Sequence, residues 1–550
     1  MIRVVIILII FLFLLFFLFY YLIRKIRKKR LKLYLLLKNQ WGKKRDKDRD
    51  FDKIPSFFYY NLKRDNTKYF VDENTFNDLN LESLFSLIDH TQSKIGEQVL
   101  YNVLRMPKKS KQELMELNCL IKNLCKNEDN RIEIQKQLSA LNKPVDYHIA
   151  DLLFLDLPKR PAYFWVIYLS QILLIAAIIC SFFFRATIIA LCIIFVVNFI
   201  IHYRTKNKFE FFFVGLDRIQ ILYSKVKRLI KIVKIGGNNI IEDISVCKKI
   251  ISKLWIFKKN DGWGSDIAQA TNLIIDLLKI LTLFEVSQTY KVAEEFNIYK
   301  KSFLNLFCYL GQIDVALSVA SFRKSLPYYC IPEFEESTKN MKFEKMYHPL
   351  INNCIPNDFY CCDNKSVFIN GSNMSGKTTF IRAIGVNVLL ASTIYTCTAT
   401  RAVLSFFNLY SAIKTEDDIE EGISYYFKEL LRLREMVEIS DINEKQYNLF
   451  LIDEVLRGTN IYDRTRIAKS ILNYLNNSNR NLIMVTSHDI DLAEQLKDKF
   501  DFYYFEETIS DKDLDFDYKI HQGLSIKSNA VNLLKILDFP EKIITASENK

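Results

Sequence analysis

Apolar and polar positions fall into three regimes along this chain. The first is continuous hydrophobicity. Val4 to Ile23 is an unbroken apolar run of 20 residues. At 1.5 Å rise per residue a helix of that length covers about 30 Å, the thickness of a bilayer's hydrocarbon layer. The run lacks Ala, Gly and Ser and ends in Arg24-Lys25-Ile26-Arg27-Lys28-Lys29-Arg30, so it reads as an uncleaved anchor rather than a signal peptide. A second apolar block, Ala162 to His202, is interrupted by charge at Arg185 alone. Its 41 residues fit two spans that turn at Phe184-Arg185-Ala186. Lys159 and Arg160 precede it, and Arg204, Lys206 and Lys208 follow it. Basic flanks at both ends place residues 24–160 and 203–550 together in the cytoplasm, a three-span topology.

The second regime has helical period. Residues 81–158 read as helical: LESLFSLIDHTQSKIGEQVLYNVL and the stretch KQELMELNCLIKNLCKN place apolar residues at i, i+3, i+4 and i+7, and residues 207–330 continue in the same way. The third regime begins after Met341. Short apolar runs at Ser366–Ile369, Tyr447–Ile452 and Asn481–Thr486 alternate with helical stretches, which predicts a mainly parallel α/β sheet.

Charge refines this division. The 550 residues carry a net charge of +13, which taken alone would point to nucleic acid. Its distribution points elsewhere: Arg24 to Arg45 holds eleven Lys or Arg and no acid, whereas Met341 to Lys550 holds 24 basic and 30 acidic residues. The excess is a juxtamembrane patch suited to anionic lipid. Eleven Cys without a CxxC pair exclude a secreted disulfide framework and fit reduced soluble parts. Abundant Ile, Lys, Asn and Phe fit an AT-rich genome, and the expected home is a bacterial inner membrane.

Three motifs carry chemistry. Gly371-Ser372-Asn373-Met374-Ser375-Gly376-Lys377-Thr378 fits GxxxxGK[ST], follows an apolar run and opens a helical one at Thr379. Glycines let backbone N–H groups converge on phosphate oxygens at a helix N-terminus. Lys377 is then expected to reach the β- and γ-phosphates of ATP, and Thr378 to ligate Mg²⁺. Asn448 to Ile452 is an apolar run that ends in Asp453-Glu454, with Asp453 expected on Mg²⁺ and Glu454 orienting and deprotonating the attacking water. Another apolar run ends in Thr486-Ser487-His488, where His488 would sense the γ-phosphate.

GSNMSGKTTF, DDIEEGISYYFKE (417–429), LFLIDEVLRGTNIYDR (449–464) and TSH (486–488) together resemble the ATPase domain of the MutS family. His348-Pro349-Leu350 and Pro356-Asn357-Asp358 resemble its entry, and Tyr518 to Gly523 with Ser528-Asn529-Ala530 its cap. Residues 84–107 and 310–334 resemble the two ends of the MutS helical core. The resemblance implies an ABC-type (P-loop) ATPase domain at the C-terminus, preceded by an all-α core or lever region that here carries the transmembrane helices. It implies ATP and Mg²⁺, and a homodimer in which Ser424 contacts the γ-phosphate held by the partner subunit. The expected parts are an anchor (1–23), a basic juxtamembrane segment (24–80), a first helical part (81–160), a hairpin (161–203), a second helical part (204–338) and the ATPase domain (339–550).

Departures from the family pattern shape the functional expectation. The mismatch-reading domain is expected to be missing, since Phe334-Glu335-Glu336, Phe427-Lys428-Glu429 and Phe505-Glu506-Glu507 lie in or beside the ATPase region. The apolar hairpin stands roughly where the family's DNA clamp is inserted. Cys354 replaces the adenine-stacking aromatic, and Tyr518 is the candidate ring from the other side. The expectation is a membrane-anchored, ATP-hydrolysing dimer related by resemblance to mismatched-DNA binding and DNA mismatch repair. The alternative is an ABC-type ATPase that moves or gates a non-DNA membrane partner, although no LSGGQ signature occurs.

Overall fold

The computed structural model describes residues 2–44, 47–65, 69–234, 238–254, 275–335, 338–361, 365–372, 375–413, 425–442, 446–456, 460–510, 513–525, 539–540 and 543–544. The first apolar run is the start of one helix, Ile2–Asn39. Phe13, Phe16, Phe17 and Phe19 on it are exposed. The far end of that helix is fixed to the helix Glu128–Leu138: Tyr34 donates to Asp129 Oδ1 at 3.1 Å and the Arg131 guanidinium stacks 4.0 Å from the Trp41 ring. Beyond it, Lys47 pairs with Asp89 and Glu97, and Arg49 with Asp89 at 3.0 Å. The segment from Ile54 to Leu79 is part of the folded body. Its Ile54, Phe57, Phe58, Val71 and Leu79 are fully buried in the main core, although charge and period gave no element there.

The helical body is built on the contact of two remote stretches. Ser93 caps the helix Lys94–Arg105 by accepting from Gly96 N, as a serine at that position should. That helix crosses the 42-residue helix Phe284–Ser325. The crossing is close because two glycines face it. A Cβ at Gly96 would collide with Asp314, and one at Gly311 with Val99. Asp314, wholly buried, accepts from Gln92 N (2.8 Å), Ser93 N (2.8 Å) and Ser93 Oγ (2.6 Å). Burial pushes its carboxyl up to about 6 against the pull of those donors.

Three described helices are long and apolar enough to cross a membrane: Ala162–Ser181, Thr187–Lys208 and Phe284–Ser325. The first two form the hairpin expected from the sequence, with Phe182, Phe183 and Phe184 exposed at its turn. The third is different. Its apolar window is 72% buried inside the protein's own helices, so its hydrophobicity serves the core.

Ten strands lie among the described residues: β1 (Glu333–Phe334), β2 (Met341–Met346), β3 (Asn357–Cys361), β4 (Ser366–Asn370), β5 (Arg401–Leu404), β6 (Phe407–Ala412), β7 (Tyr447–Asp453), β8 (Asn481–Thr486), β9 (Phe500–Ser510) and β10 (Asp513–Gln522). They form a four-stranded sheet, β1-β5-β2-β3, and a six-stranded sheet, β10-β9-β4-β8-β7-β6. In the larger sheet β6, β7, β8, β4 and β9 run parallel and β10 antiparallel. The three apolar runs read from the sequence are β4, β7 and β8 at its centre. All five β4 residues are buried, the mark of a strand covered on both faces.

Asp314→Ala would leave two buried N–H groups and a hydroxyl without their acceptor. The expected loss is about 3 kcal/mol or more of folding stability, read as a lower thermal midpoint of the full chain in detergent.

Candidate functional site

The glycine-rich loop joins β4 to the helix Lys377–Ile394, which is buried almost throughout. Gly371 has φ +148° and Gly376 φ +106°, conformations that favour glycine. A Cβ on Gly371 would lie 2.8 Å from the Phe505 carbonyl, and one on Gly376 3.3 Å from Tyr518 Cδ1. Ser375 is buried, and its hydroxyl donates to Ser372 O at 2.8 Å, which tightens the loop. Lys377, also buried, folds back over it and donates to Gly371 O and Ser372 O, both at 2.6 Å. Asn373 and Met374 lie outside the described residues.

β7 brings its acidic end to the same place. Thr378 Oγ1 donates to Asp453 Oδ2 at 2.7 Å. Glu454 is buried, with Oε1 4.0 Å from Lys377 Nζ and Oε2 3.5 Å from His488 Nδ1. His488 itself is half exposed. Lys377, Thr378, Asp453, Glu454 and His488, drawn from three separate motifs, therefore converge. Ser424 falls among residues 421–424, outside the described set, as do Arg457, Gly458 and Thr459.

The positioning groups around this cluster are less legible from sequence. Thr486, paired with Asp453 in the β7–β8 register, donates to Asp453 Oδ1 and so holds the carboxylate from the side opposite Thr378. Glu454 N donates to Thr486 O at 2.9 Å, while Glu454 and Leu456 take φ +53° and +58°. Glu429, on the helix Tyr425–Asp441, accepts from Leu456 N and braces that irregular turn. The register partner of Asp453 is the signal that marks Thr486; Glu429 closes the stretch 417–429 singled out above, but nothing in that stretch names Leu456 N as its partner.

A cavity of about 510 Å³ adjoins the loop, lined among others by Cys354, Thr379, Phe380, Phe505, Phe516 and Tyr518. Tyr518 lies at φ +52° where β10 slips register against β9. Asn357 fills the irregularity: its amide donates to Tyr518 O at 3.0 Å and its carbonyl accepts from Ile520 N at 2.8 Å. Cys354 lines the cavity wall without a ring, so the aromatic surface comes from the opposite side. His348 lines the cavity too. Burial, then the charge of Arg382, pushes it down to about 4, so its ring is neutral and its Nδ1 accepts from Leu350 N at 3.3 Å.

Among the described residues no group of three His, Cys, Asp or Glu side chains could hold a metal ion. The Thr378–Asp453 oxygen pair fits a hard cation such as Mg²⁺ that takes its other ligands from phosphate and water.

An α/β domain with a glycine loop at a buried helix N-terminus and an acidic strand end beside it is the class that fold and geometry define. Residues 367–550 match the family model MutS domain V, that family's ATPase domain. Relatives called DNA mismatch repair protein MutS resemble the chain at low identity. The protein of Geobacillus sp. (strain WCH70) is 26% identical over 245 residues, covering 43% of this chain and 28% of its own length. That of Thermotoga petrophila is 28% identical over 345 residues, covering 60% and 41%, and that of Bacillus cereus (strain AH187) 22% over 293 residues, covering 52% and 32%. The chain thus spans well under half the length of these relatives.

Gly376→Ala would force a side chain into φ +106° against Tyr518. It is expected to cost about 1–2 kcal/mol from backbone conformation, seen as a lower unfolding midpoint without nucleotide.

Proposed function

We propose that this chain is a membrane-anchored MutS-like ATPase that works as a homodimer. The observation that carries the reading is the 2.7 Å Thr378–Asp453 bond beside buried Lys377 and Glu454, under a loop whose two glycines have positive φ. ATP would lie with its phosphates over Gly371–Gly376 and its base against Phe380, Phe505, Phe516 and Tyr518, with Thr379 beside the α-phosphate end. Lys377, which donates to Gly371 O and Ser372 O, would turn to phosphate oxygens, to which a desolvated ammonium is strongly attracted. Thr378 and Asp453 would hold Mg²⁺, which when bound would supply positive charge against the phosphates. Glu454 orients the attacking water and takes its proton, while His488, 3.5 Å away, steadies that carboxylate. Ser424 would close the site from the partner subunit.

Membrane attachment rests on the apolar run 4–23 and on the exposed hairpin, with the basic segment 24–45 toward anionic lipid. The multi-pass arrangement leaves the soluble parts on the cytoplasmic side, and a bacterial inner membrane fits. DNA is the proposed ligand through kinship with proteins named for mismatch repair. The mildly acidic ATPase region leaves the helical arms to make that contact.

Glu454→Gln should keep ATP binding and lower hydrolysis about 100-fold or more; unchanged turnover by the full chain in nanodiscs would remove Glu454 from the role. Lys377→Ala should weaken nucleotide affinity at least about tenfold, read by titration with a fluorescent ATP analogue. For DNA, binding of homoduplex and mismatched duplex by the nanodisc-embedded chain should fall steeply as salt rises, as phosphate-dominated contacts do. Binding of neither duplex at low salt would leave the ATPase serving a non-DNA membrane partner.

A further inference from the structure

The hairpin contains three polar residues within its apolar stretches that a pure anchor does not need. Asn198 is fully buried and Ser170 nearly so. Ser170 Oγ donates to Asn198 Oδ1 at 2.5 Å; Asn198 Nδ2 donates to Leu281 O at 2.7 Å, and Gln171 Nε2 to Thr282 O at 2.9 Å. Leu281 and Thr282 end a helical stretch, 275–282, and Leu283 turns through φ +49° into the long helix Phe284–Ser325. Carbonyls at a helix C-terminus have no partner within the helix. Here two of them are satisfied by side-chain amides of the hairpin. In water that service would be unnecessary; beside lipid it is required, because nothing else there can donate.

The same stretch is apolar on its outside. Ile275, Leu277, Leu278 and Phe284 are 41%, 41%, 56% and 47% exposed. They continue the hairpin's own exposed surface, which includes Leu169, Ile172 and Ile175. Depth can be read from the hairpin. Tyr163, Trp165 and Tyr168 are exposed near its start, the amphipathic rings expected at a membrane–water boundary. Gln171 lies six residues past Trp165, about 9 Å further in at the helical rise. Charges set that level at the margin rather than in the hydrocarbon: Asp276 on the docked stretch is exposed, Lys279 is paired with Glu285 at 3.3 Å, and Lys291, further along the long helix, sits over the Tyr168 ring at 5.9 Å.

We infer that residues 275–284 form a further membrane-contacting element, lodged at the cytoplasmic margin of the lipid beside the hairpin and held there by Gln171 and Asn198, with Leu278 and Phe284 against acyl chains. The partner of this surface is lipid, in continuity with the hairpin's lipid face. The inference rests on the membrane reading above, and its test separates the two. A photoreactive benzophenone amino acid is placed at position 278, at hairpin position 189 or at position 115, an exposed site on the helix Lys111–Cys125, in the full chain reconstituted into vesicles of radiolabelled phosphatidylcholine and phosphatidylglycerol. The expected result is lipid adducts at 278 and 189, each at least about tenfold above 115, the contrast between hydrocarbon and water. Asn198→Ala combined with Gln171→Ala should reduce labelling at 278 and leave 189 unchanged. Labelling at 189 but not 278 overturns this inference and leaves the membrane hairpin standing. Labelling at neither overturns both. A protein–protein adduct at 278 without lipid assigns the surface to a second copy and overturns the lipid assignment.

Discussion

Arg323 holds the two halves of this molecule together. It sits near the end of the long helix Phe284–Ser325, and its buried guanidinium donates to Ile394 O at 3.2 Å, Tyr395 O at 2.8 Å, Thr396 Oγ1 at 2.9 Å and Asn118 Oδ1 at 2.8 Å. Ile394 ends the helix whose first residue is Lys377, and Tyr395 leaves it at φ +53°. A guanidinium at a helix C-terminus satisfies orphan carbonyls and meets the negative end of the dipole. Burial lowers its affinity for the proton to about 10, yet it stays charged at neutral pH, and its four acceptors offset the desolvation that an unpaired buried charge would suffer. The helix that cradles the candidate phosphate site is thereby fixed at its far end to the helical body.

A second joint lies on the other side of the ATPase-type domain. Arg432 bonds Asp72 at 3.1 Å and the Ser411 carbonyl at 2.8 Å, and Tyr69 donates to Leu409 O at 2.7 Å. Residues 69–79 thus brace β6 and, through Arg432, the helix that carries Glu429. Because Glu429 accepts from Leu456 N, two residues past Glu454, this brace reaches the irregular turn on which the proposed water-orienting carboxylate is held.

Much of the α/β part was legible because its signals are local. A covered parallel strand must be continuously apolar, so β4, β7 and β8 stand out as short hydrophobic runs, and a phosphate-type loop must carry glycine at Gly371 and Gly376. The hairpin was legible for the same reason. What was hidden depends on partners far away in sequence. Asp314 meets Gln92 across 222 positions, and neither residue announces the other. Residues 54–79 follow a basic segment and show no clear period, and the burial of Phe57 and Phe58 depends on helices formed later in the chain. The long helix is apolar enough to pass for a span, and only its neighbours identify it as core. Stretch 275–284 has the converse character: its charges make it resemble an ordinary amphipathic helix, while the carbonyl bonds to Gln171 and Asn198 set it beside the hairpin.

These contacts fix the long helix against the start of the helix Lys94–Arg105. Val99 occupies the space that a side chain on Gly311 would fill, and Asp314 grips the facing helix start one turn further on, so sliding along the axis is blocked at this crossing. Ser318 donates to Ile88 O at 2.7 Å and accepts from His90 N at 2.8 Å, so the same helix is held again two turns on. From Gly311 to Arg323 is about 18 Å of helix, and from Gly311 back to Phe284 about 40 Å. The helix that begins at Lys377 and the stretch 275–282 that meets the hairpin are thus joined through one long helix, tied to main-chain carbonyls at its Arg323 end and reached at the other through the turn at Leu283.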